Sequence, residues 1–391
     1  MQAVILAAGK GTRMLPLTET RPKPLLKVAN LSILEYNLSQ LQDIVDEVIL
    51  VVGYNSKQIV NLIGDSYGNL RIKYCFQKNQ LGTGDAIKSA YNLLDKNFIV
   101  LYGDDLYFKK DIKKVSEMQY SLLVKEYHFP KNFGVVEARN NILVNLEEKP
   151  ENPKSNLVNT GCYSLDKKLL NLEIKKSDRN EFELTDYIKE NIELGFKVVK
   201  ADNWVPVSYP WNLLDANKFL ISEIKENEIY GKIEENVFIG ERVKIGRDSV
   251  IKCGSYIEGD VVIGENCVIG PNCYIRGSTS IGDSCHIGAN TEIKNSIIFE
   301  NSNIPHHNYV GDSVIGSNCN LGAGTITANL RHDNKNIFVE VKGKLADTGR
   351  RKFGAIIGDN VKTGIGTLIY PGRKIGANKT TKPGEIVYKS I

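Results

Sequence analysis

The sequence lacks any apolar run that approaches the ~18 residues of a membrane-spanning helix. Its N-terminal apolar run is short and passes directly into a glycine-rich turn, so we expect a core strand there and not a signal peptide. The seven cysteines include no C-x-x-C pair, which argues against a zinc site or a disulfide framework and favours reduced thiols. The net charge is only +4 and the lysines are spread along the chain, which argues against nucleic acid as a partner. We therefore expect a cytoplasmic protein that binds neither a membrane nor nucleic acid.

The composition that remains is that of an ordinary globular protein. Hydrophobic residues make up 42% of the 391 residues and charged residues 25%. This length allows two domains, and the texture of the sequence changes after residues 223–228. We predict one domain over residues 1–225 and a second over residues 226–391.

A glycine-rich turn follows the first predicted strand. Gly9 and Gly11 allow a tight turn with exposed N–H groups, and Lys10 and Arg13 add positive charge, a combination that suits a phosphate chain. The turn is not a P-loop, because no G-x-x-x-x-G-K-[ST] is present. It is not a dinucleotide fingerprint either, because Met14 stands where a third glycine is required. By itself the turn leaves two interpretations open, a phosphate site and an ordinary turn.

Strand-like and helix-like runs alternate through the first domain. This pattern predicts an α/β domain, Rossmann-like, with a mostly parallel sheet and helices on both of its sides. Ligands of such sheets bind at the carboxyl ends of the strands. The predicted strands are 4–8, 48–53, 71–77 and 98–102, and the predicted helices are 33–42, 56–63 and 85–94.

Four polar clusters fall where the binding edge of this sheet is expected. Prolines on both sides fix the backbone around Lys23, and the carboxylate of Asp104 follows a strand, a common place for Mg²⁺. The amides of residues 77–80 suit the edge of a base. Each cluster alone is equally consistent with a solvated loop, but their common position favours a ligand site. The clusters cover residues 21–24, 77–84, 103–105 and 147–150.

Taken in order, these motifs resemble the sugar-1-phosphate nucleotidylyltransferase family. The stretches L-A-A-G-x-G-T-R-M, R-P-K-P-L, Q-x-x-Q-L-G-T-G, Y-G-D, L-E-E-K-P, N-T-G and E-L-T-D follow one another within residues 1–215. The resemblance implies transfer of a nucleotidyl group from UTP or dTTP to a sugar 1-phosphate, with Mg²⁺ held by Asp104 and with Arg13 and Lys23 as catalytic cations. The implied nucleotide contacts are Ala7, Ala8, Gly9, Gly11, Thr12, Arg13, Gln77, Gln80, Gly82 and Thr83; the implied sugar-phosphate contacts are Gly134, Glu148, Lys149 and Asn159.

One position departs from the family pattern. Relatives of the thymidylyltransferase type carry a second metal-binding Asp in a W-x-D-x-G motif, and here Pro206 occupies that position. A proline side chain cannot bind a metal. Asp202 and Asp215 are nearby carboxylates, which we interpret as surface or capping residues and not as replacement ligands.

The second domain is a run of hexapeptide repeats. Isoleucine recurs every six residues from Ile239 to Ile293, Phe299 continues the series, and glycine often follows the aliphatic residue. This period predicts a parallel β-helix whose interior is filled by the repeating residue. The six-residue repeat shifts near residues 300–314, resumes at Ile315 and resumes again at Ile357. The basic stretch 328–353 does not follow the repeat, so we expect it to form an extruded loop.

The repeats resemble left-handed β-helix acyltransferases, which are trimers. The stretches Y-I-R, E-I-K-N, H-x-x-Y-V-G-D and N-x-G-A-G-T-I-T-x-N resemble the acetyltransferase half of bifunctional N-acetylglucosamine-1-phosphate uridylyltransferase and its archaeal relatives. The resemblance implies acetyl transfer from acetyl-CoA to an amino-sugar 1-phosphate and a homotrimer. It implies His306 as general base and Asn329 as a catalytic partner. Lys335 is a candidate contact for CoA phosphate or for a neighbouring subunit. The implied sugar-phosphate contacts are Arg276, Lys294, Tyr309 and Asn320.

Spacing supports one part of this assignment. Arg276 and Lys294 are 18 residues apart, so three hexads per coil would place one cation above the other as a phosphate clamp. Stacked surface cations beside Glu258 and Glu292 are the structural alternative.

For the whole chain two further functions stay open. It could be a nucleotidylyltransferase whose β-helix only trimerises or binds a regulator, or a non-catalytic regulatory subunit.

Overall fold

The computed structural model describes all residues, 1–391, and the chain divides into two compact units. The first unit comprises Met1–Lys10, Pro22–Leu25 and Ile33–Pro206. The second comprises Gly11–Arg21, Leu26–Ser32 and Val207–Ile391. The second unit thus includes two short segments from the N-terminal part of the chain.

Alternating strands and helices form the first unit, as the sequence predicts. In chain order the strands are β1 Gln2–Ala7, β2 Lys27–Val28, β3 Leu31–Ser32, β4 Glu47–Val52, β5 Ser66–Tyr67, β6 Leu70–Phe76, β7 Asn97–Tyr102, β8 Ser121–Glu126, β9 Gly134–Arg139, β10 Ile142–Glu148, β11 Leu157–Asp166 and β12 Lys197–Lys200. The helices are α1 Ile33–Leu41, α2 Ser56–Ile63, α3 Thr83–Ser89, α4 Lys109–Ser116, α5 Leu184–Lys189 and α6 Pro210–Ser222. Strands β2 and β3 pair with each other, and they and α6 belong to the second unit.

A ten-stranded sheet organises the first unit, in the order β5-β6-β4-β1-β7-β11-β8-β12-β10-β9. Strands β6, β4, β1 and β7 are parallel, which confirms the expected parallel sheet at its centre. Beyond β7 the sheet is mixed, since β11 runs antiparallel to both β7 and β8. Val48–Val52 is buried throughout because the central strands are covered on both sides.

The predicted elements of this unit are confirmed with one difference. The helix expected over residues 85–94 is divided into α3, which ends at Ser89, and a 3-10 turn over Tyr91–Leu93. At the junction the Ala90 N–H bonds to the carbonyl of Ile87, a tighter i→i+3 bond than the α-helix uses.

A parallel β-helix forms most of the second unit. Successive coils pair in parallel and build three columns of strands. Column 1 contains Tyr274–Arg276, Glu292–Lys294, Tyr309–Gly311, Ile326–Thr327, Leu368–Ile369 and Ile386–Val387; column 2 contains Glu228–Ile229, Thr279–Ile281, Ile297–Ile298, Val314–Ile315, Ile356–Ile357 and Lys374–Ile375; column 3 contains Lys232–Ile233, Val250–Ile251, Val268–Ile269, His286–Ile287, Asn303–Ile304, Asn320–Leu321 and Lys362–Thr363. The longer strands Phe238–Ile245 and Tyr256–Ile263 run from column 1 into column 2.

The repeating isoleucines fill the interior of the β-helix. Ile251, Ile269 and Ile287 are stacked in register and have no exposed surface. Asparagine and aspartate occupy left-handed corners such as Asn272 and Asn290, a conformation that these residues tolerate better than most. The hexad prediction is therefore confirmed for these coils.

The register differs from the sequence prediction at Phe299. The coil after Ile281 is one residue shorter, so Ile298 pairs with Ile281 and takes the interior position. Phe299 is buried elsewhere, beneath the guanidinium of Arg21. The prediction that Phe299 continues the interior series is wrong, because a run of two isoleucines allowed the chain to shift by one position.

The basic stretch 328–353 leaves the coils, as expected. It contains an antiparallel hairpin formed by Phe338–Val341 and Lys344–Asp347. The next interior strand, Ile356–Ile357, returns to column 2 beside Val314–Ile315. Across the chain, no helix is long and apolar enough to cross a membrane.

Candidate active sites

The glycine-rich turn begins where β1 ends at the centre of the parallel sheet. Gly11 takes a left-handed conformation (φ 61°), and its carbonyl accepts bonds from the Met14 N–H at 2.8 Å and the Thr18 hydroxyl at 2.9 Å. Gly9 is open, since a Cβ there would contact nothing within 4 Å. The Arg13 guanidinium lies over the ring of Tyr209, 5.5 Å from its centroid. The turn thus has a fixed shape with an accessible outer surface.

Lys23 and Asp104 meet at the carboxyl end of the parallel strands. The Lys23 ammonium lies 2.6 Å from Asp104 Oδ2. The lysine side chain is 6% exposed, whereas that of Asp104 is 39% exposed and accessible to a ligand. The sequence predicted both residues at this edge from motifs 81 residues apart, and the fold brings them together.

The motif after β6 contains one buried glutamine, Gln77, and one exposed glutamine, Gln80. The Gln77 amide donates to Asp85 at 2.6 Å and to the Gly82 carbonyl at 3.3 Å, and its side chain is buried. Gln80 is exposed and its amide lies next to Gly53, where a Cβ would come within 2.8 Å. Gly82 passes so close to the Phe182 carbonyl that a Cβ would lie 2.3 Å from it. The geometry therefore favours Gln80 over Gln77 for contact with a base.

The predicted sugar contacts converge at β9, β10 and β11. A Cβ on Gly134 would lie 3.1 Å from Glu148 Oε2 and 3.4 Å from the Asn159 side chain, so Gly134 keeps this space open. The Lys149 ammonium lies 3.0 Å from Glu148 Oε1. Asn159 in turn donates to the hydroxyl of Tyr163 at 2.5 Å, and burial raises the pKa of that phenol.

Arg179 is a cation at this site that the sequence analysis missed. Its guanidinium lies 3.9 Å from Glu148 Oε1 and also pairs with Glu181 and the buried Glu183. The only signal in the sequence was its position a few residues before the E-L-T-D motif.

The stretch around Pro206 supplies no second carboxylate. Asp202 is paired with Lys110 at 2.6 Å and Lys114 at 3.1 Å, and these two lysines lower its pKa. Asp215 is paired with Arg350. Both carboxylates therefore fit the surface interpretation. No group of three or more His, Cys, Asp or Glu side chains is placed to hold a metal ion by itself.

In the β-helix, Arg276 and Lys294 are register partners on successive coils of column 1. Arg276 is partly neutralised, with its guanidinium 3.0 Å from Glu292 Oε1 and 3.5 Å from Glu258 Oε2. Lys294 is less exposed (21%) and its nearest carboxylate, Asp312, is 4.0 Å away. The predicted stacking is confirmed, and Lys294 is the cation with more capacity for an anionic ligand.

Tyr309 and Asn329 complete the group on column 1. The Asn329 amide lies 3.1 Å from the Tyr309 hydroxyl and bonds to Asp312, whose side chain is buried. Tyr309 is the register partner of Glu292 on the next coil, and Gly311 is that of Lys294. Arg276 and Lys294 also line a cleft of about 640 Å³.

Lys352 is a second cation that the sequence analysis did not assign. Burial lowers the pKa of Lys294, and the nearby charges of Lys352 and Arg276 lower it further, against the opposing effect of Asp312. Lys352 was visible only as one of several basic residues in the extruded stretch.

His306, Asn320 and Lys335 are not part of the column 1 group. His306 is exposed at the corner between columns 3 and 1. Burial lowers the pKa of His286 in column 3, and the charges of Lys252 and His306 lower it further. Asn320 lies in column 3, between Asn303 and Lys362. Lys335 is exposed near the hairpin, where its N–H bonds to Asp333. A single chain thus divides the predicted acetyl-transfer residues between two sides of the β-helix.

Two known family profiles match this chain. The profile described as "Nucleotidyl transferase" matches residues 2–223, more than half of the chain. The chain belongs to the nucleotidyl transferase family. A second profile, described as "GMPPB C-terminal domain", matches residues 257–383. The first match contains every predicted residue of the nucleotide and sugar sites, and the second contains the column 1 group.

Full-length relatives of this nucleotidyl transferase carry bifunctional names. The "Bifunctional protein GlmU" of Methanocaldococcus jannaschii is 45% identical over 97% of this chain and 92% of its own length. The "Bifunctional sugar-1-phosphate nucleotidylyltransferase/acetyltransferase" of Sulfurisphaera tokodaii is 39% identical over 100% of this chain and 98% of its own. The "UTP--glucose-1-phosphate uridylyltransferase AglF" of Haloferax volcanii is 32% identical but covers only 57% of this chain. The resemblance indicated by the motifs is confirmed at full length.

Proposed function

We propose that the chain is a bifunctional transferase of nucleotide-sugar synthesis. One activity moves an acetyl group from acetyl-CoA to glucosamine 1-phosphate or galactosamine 1-phosphate. The other moves a nucleotidyl group from UTP or dTTP to a sugar 1-phosphate and releases pyrophosphate. The observation that carries the proposal is the presence of two separate charged sites in one chain, the ion pair of Lys23 with Asp104 and the stacked cations Arg276 and Lys294.

Nucleotidyl transfer would take place within residues 1–225. An oxygen of the sugar 1-phosphate attacks the α-phosphorus in line, and pyrophosphate leaves, so the protein mainly positions the phosphates and neutralises their charge. Lys23 and Arg13 suit the triphosphate. Lys149, beside Glu148, suits the sugar phosphate.

A divalent metal fits the residues at this site. Asp104 offers an accessible carboxylate, and Mg²⁺ commonly binds through one or two carboxylates together with substrate phosphates. Asp104 would hold the ion, with the remaining positions taken by phosphate oxygens and water. When bound, Mg²⁺ would neutralise charge that develops on the phosphates.

Acetyl transfer would take place within residues 226–391. Lys294, Arg276 and Tyr309 suit the phosphate and hydroxyl groups of the amino sugar. The amine attacks the thioester carbonyl and the carbon–sulfur bond breaks; His306 takes the proton that the amine loses and returns it to the sulfur, so that CoA leaves as the thiol. Asn329, fixed by Tyr309 and Asp312, would orient the amine or the carbonyl, and Lys335 would contact CoA.

We also propose a homotrimer of left-handed β-helices. Column 1 presents exposed aromatic and aliphatic side chains on successive coils, including Phe238, Tyr256, Leu368 and Ile386, and such surfaces are often covered by a partner. The separation of His306 and Asn320 from the column 1 group supports the same proposal, because a second copy could bring its own His306 and Asn320 to that group. Light scattering on the purified protein would measure the mass of the assembly.

The free cysteines support a cytoplasmic location.

A panel of sugar phosphates, assayed for both CoA and pyrophosphate, tests the proposed function. Release of CoA from amino-sugar phosphates and Mg²⁺-dependent release of pyrophosphate with UTP or dTTP are expected. Pyrophosphate without CoA for every amino sugar would instead favour a nucleotidylyltransferase with a structural or regulatory β-helix. Absence of both products would favour a non-catalytic subunit.

A further inference from the structure

A charged network within the second unit holds the segments Gly11–Arg21 and Leu26–Ser32 against the corner that follows column 2. The guanidinium of Arg21 lies 3.2 Å from Glu300 Oε1 and 2.9 Å from Asp359 Oδ2. Its Nε donates to Asp359 at 3.2 Å, and its Nη2 donates to the Ser317 hydroxyl. The Arg21 side chain is only 14% exposed. Every nitrogen of this guanidinium therefore has an acceptor on the β-helix.

Other residues of the same segments bind the same region. The Lys27 ammonium lies 3.4 Å from Glu300 Oε2. Glu19 accepts a bond from the Ala377 N–H at 2.6 Å, and the Asn30 amide donates to the Ile281 carbonyl at 2.6 Å. The two segments are thus attached at several points along their length, with Arg21 at the centre.

The two carboxylates also accept hydrogen bonds from Ser317 of the β-helix. Asp359 Oδ1 accepts the Ser317 N–H at 2.8 Å, which leaves Oδ2 for the guanidinium. Burial would raise the pKa of Glu300, but the charges of Arg21 and Lys27 outweigh burial and lower it to about 2. Glu300 is therefore ionised at neutral pH.

We infer that Glu300 and Asp359 are positioning residues for nucleotidyl transfer, which act through Arg21. This inference rests on the nucleotidyl transfer proposed above. Arg21 follows Arg13 by eight residues and precedes Lys23 by two, so the network fixes the stretch of backbone that joins the two proposed triphosphate contacts. A displacement of about 1 Å in such groups can reduce a rate by ~10²-fold. Two corner residues of the β-helix thereby contribute to nucleotidyl transfer through Arg21.

The test compares Asp359→Asn and Glu300→Gln with the matched control Asp283→Asn. Asp283 occupies the same type of corner on an earlier coil and accepts the Glu265 N–H at 2.9 Å, as Asp359 accepts that of Ser317. Each test variant removes the negative charge and replaces one acceptor with an amide N–H₂. In Asp359→Asn that N–H₂ faces either Arg21 or the Ser317 N–H, and in Glu300→Gln it faces either Arg21 or Lys27. We expect kcat/KM for the nucleoside triphosphate to fall about 10-fold, mainly through KM, with CoA release by the same samples within about twofold of wild type. Asp283→Asn should leave both activities within about twofold.

Two further measurements separate positioning from general damage. Amide hydrogen exchange without nucleotide should become faster over residues 11–21 and 26–32 in Asp359→Asn and Glu300→Gln and stay unchanged in Asp283→Asn. The double variant Arg21→Gln/Asp359→Asn should be no worse than Arg21→Gln alone, because both changes remove the same interaction.

Several outcomes would overturn the inference. A triphosphate KM within twofold of wild type in both test variants would show that the network does not position the site, and unchanged exchange would show that it does not hold the two segments. If the wild-type chain released no pyrophosphate with any triphosphate, the proposed nucleotidyl transfer would fail and the positioning role with it. If the wild-type chain releases pyrophosphate and both test variants do so equally well, only the positioning role is refuted and the proposed nucleotidyl transfer stands.

Discussion

Lys294 stands directly after Arg276 in column 1, as its register partner on the next coil. Neighbouring strands are about 4.8 Å apart, so the two cations can reach one phosphate group. Arg276 already has two carboxylate neighbours, whereas Lys294 has only Asp312 at 4.0 Å. Lys294 is thus the residue whose removal should most weaken binding of an anion at this site.

The first prediction concerns Lys294→Ala. Loss of a charge-assisted bond to phosphate should lower kcat/KM for the amino-sugar phosphate about 10- to 100-fold in a CoA-release assay. The exposed Lys244, which pairs with Glu228 on column 2, supplies the control Lys244→Ala. Equal kinetics in the two variants would contradict a phosphate role for Lys294.

The second prediction concerns His306→Ala. If His306 accepts the amine proton, CoA release should fall by roughly 10²-fold or more while KM for acetyl-CoA changes little. His307, adjacent and also exposed, provides the matched control His307→Ala, for which near wild-type release is expected. Undiminished release in His306→Ala would remove that histidine from the mechanism.

The third prediction concerns Asp104→Asn. Loss of the metal-binding carboxylate should reduce pyrophosphate release by about 10²-fold or more, and a chelator should abolish that release in the wild type. CoA release should persist in both experiments because it uses other residues. Asp202→Asn, which removes a surface carboxylate paired with Lys110, should retain both activities. A chelator-resistant wild type would argue against a metal at this site.

The fourth prediction is a pH dependence of stability. The pKa of Glu300 is lowered from 4.5 to about 2, so the ionised form stabilises the fold above about pH 4.5 and this stabilisation is lost as pH falls towards 2. The contribution at neutral pH is on the order of 3 kcal/mol. The free energy of unfolding, measured in urea, should therefore differ strongly between wild type and Glu300→Gln at pH 7, and this difference should shrink below pH 4. A difference that is constant with pH would contradict the network.

Local patterns predicted the elements of the first unit because burial and backbone preference act over a few residues. The strands at 48–53 and 98–102 and the helix at 56–63 are present within one residue of their predicted bounds. In the β-helix, the six-residue period fixed the interior positions up to Ile293. It failed at Phe299, because Ile297 and Ile298 both suit the interior and the period alone does not reveal a coil shortened by one residue.

The site residues were predictable where a motif carried them and not where only the fold joins them. Lys23 and Asp104 come from recognisable motifs and meet at the sheet edge. The partners of Arg21 lie 279 and 338 residues further along the chain, beyond the reach of any local pattern. Lys352 belongs to a basic stretch that lacks the six-residue repeat, so no pattern in the sequence pointed to it. It lies near Lys294 only because the chain returns to column 2.

The most direct test of the bifunctional account follows a labelled acetyl group through both steps. Purified wild-type protein would receive glucosamine 1-phosphate, acetyl-CoA with a labelled acetyl group, UTP and Mg²⁺, and the products would be separated by chromatography. We expect the label to appear in a nucleotide-linked N-acetyl sugar, with CoA and pyrophosphate released in equal amounts. Label that stays in acetyl-CoA for glucosamine and galactosamine phosphates alike would contradict it.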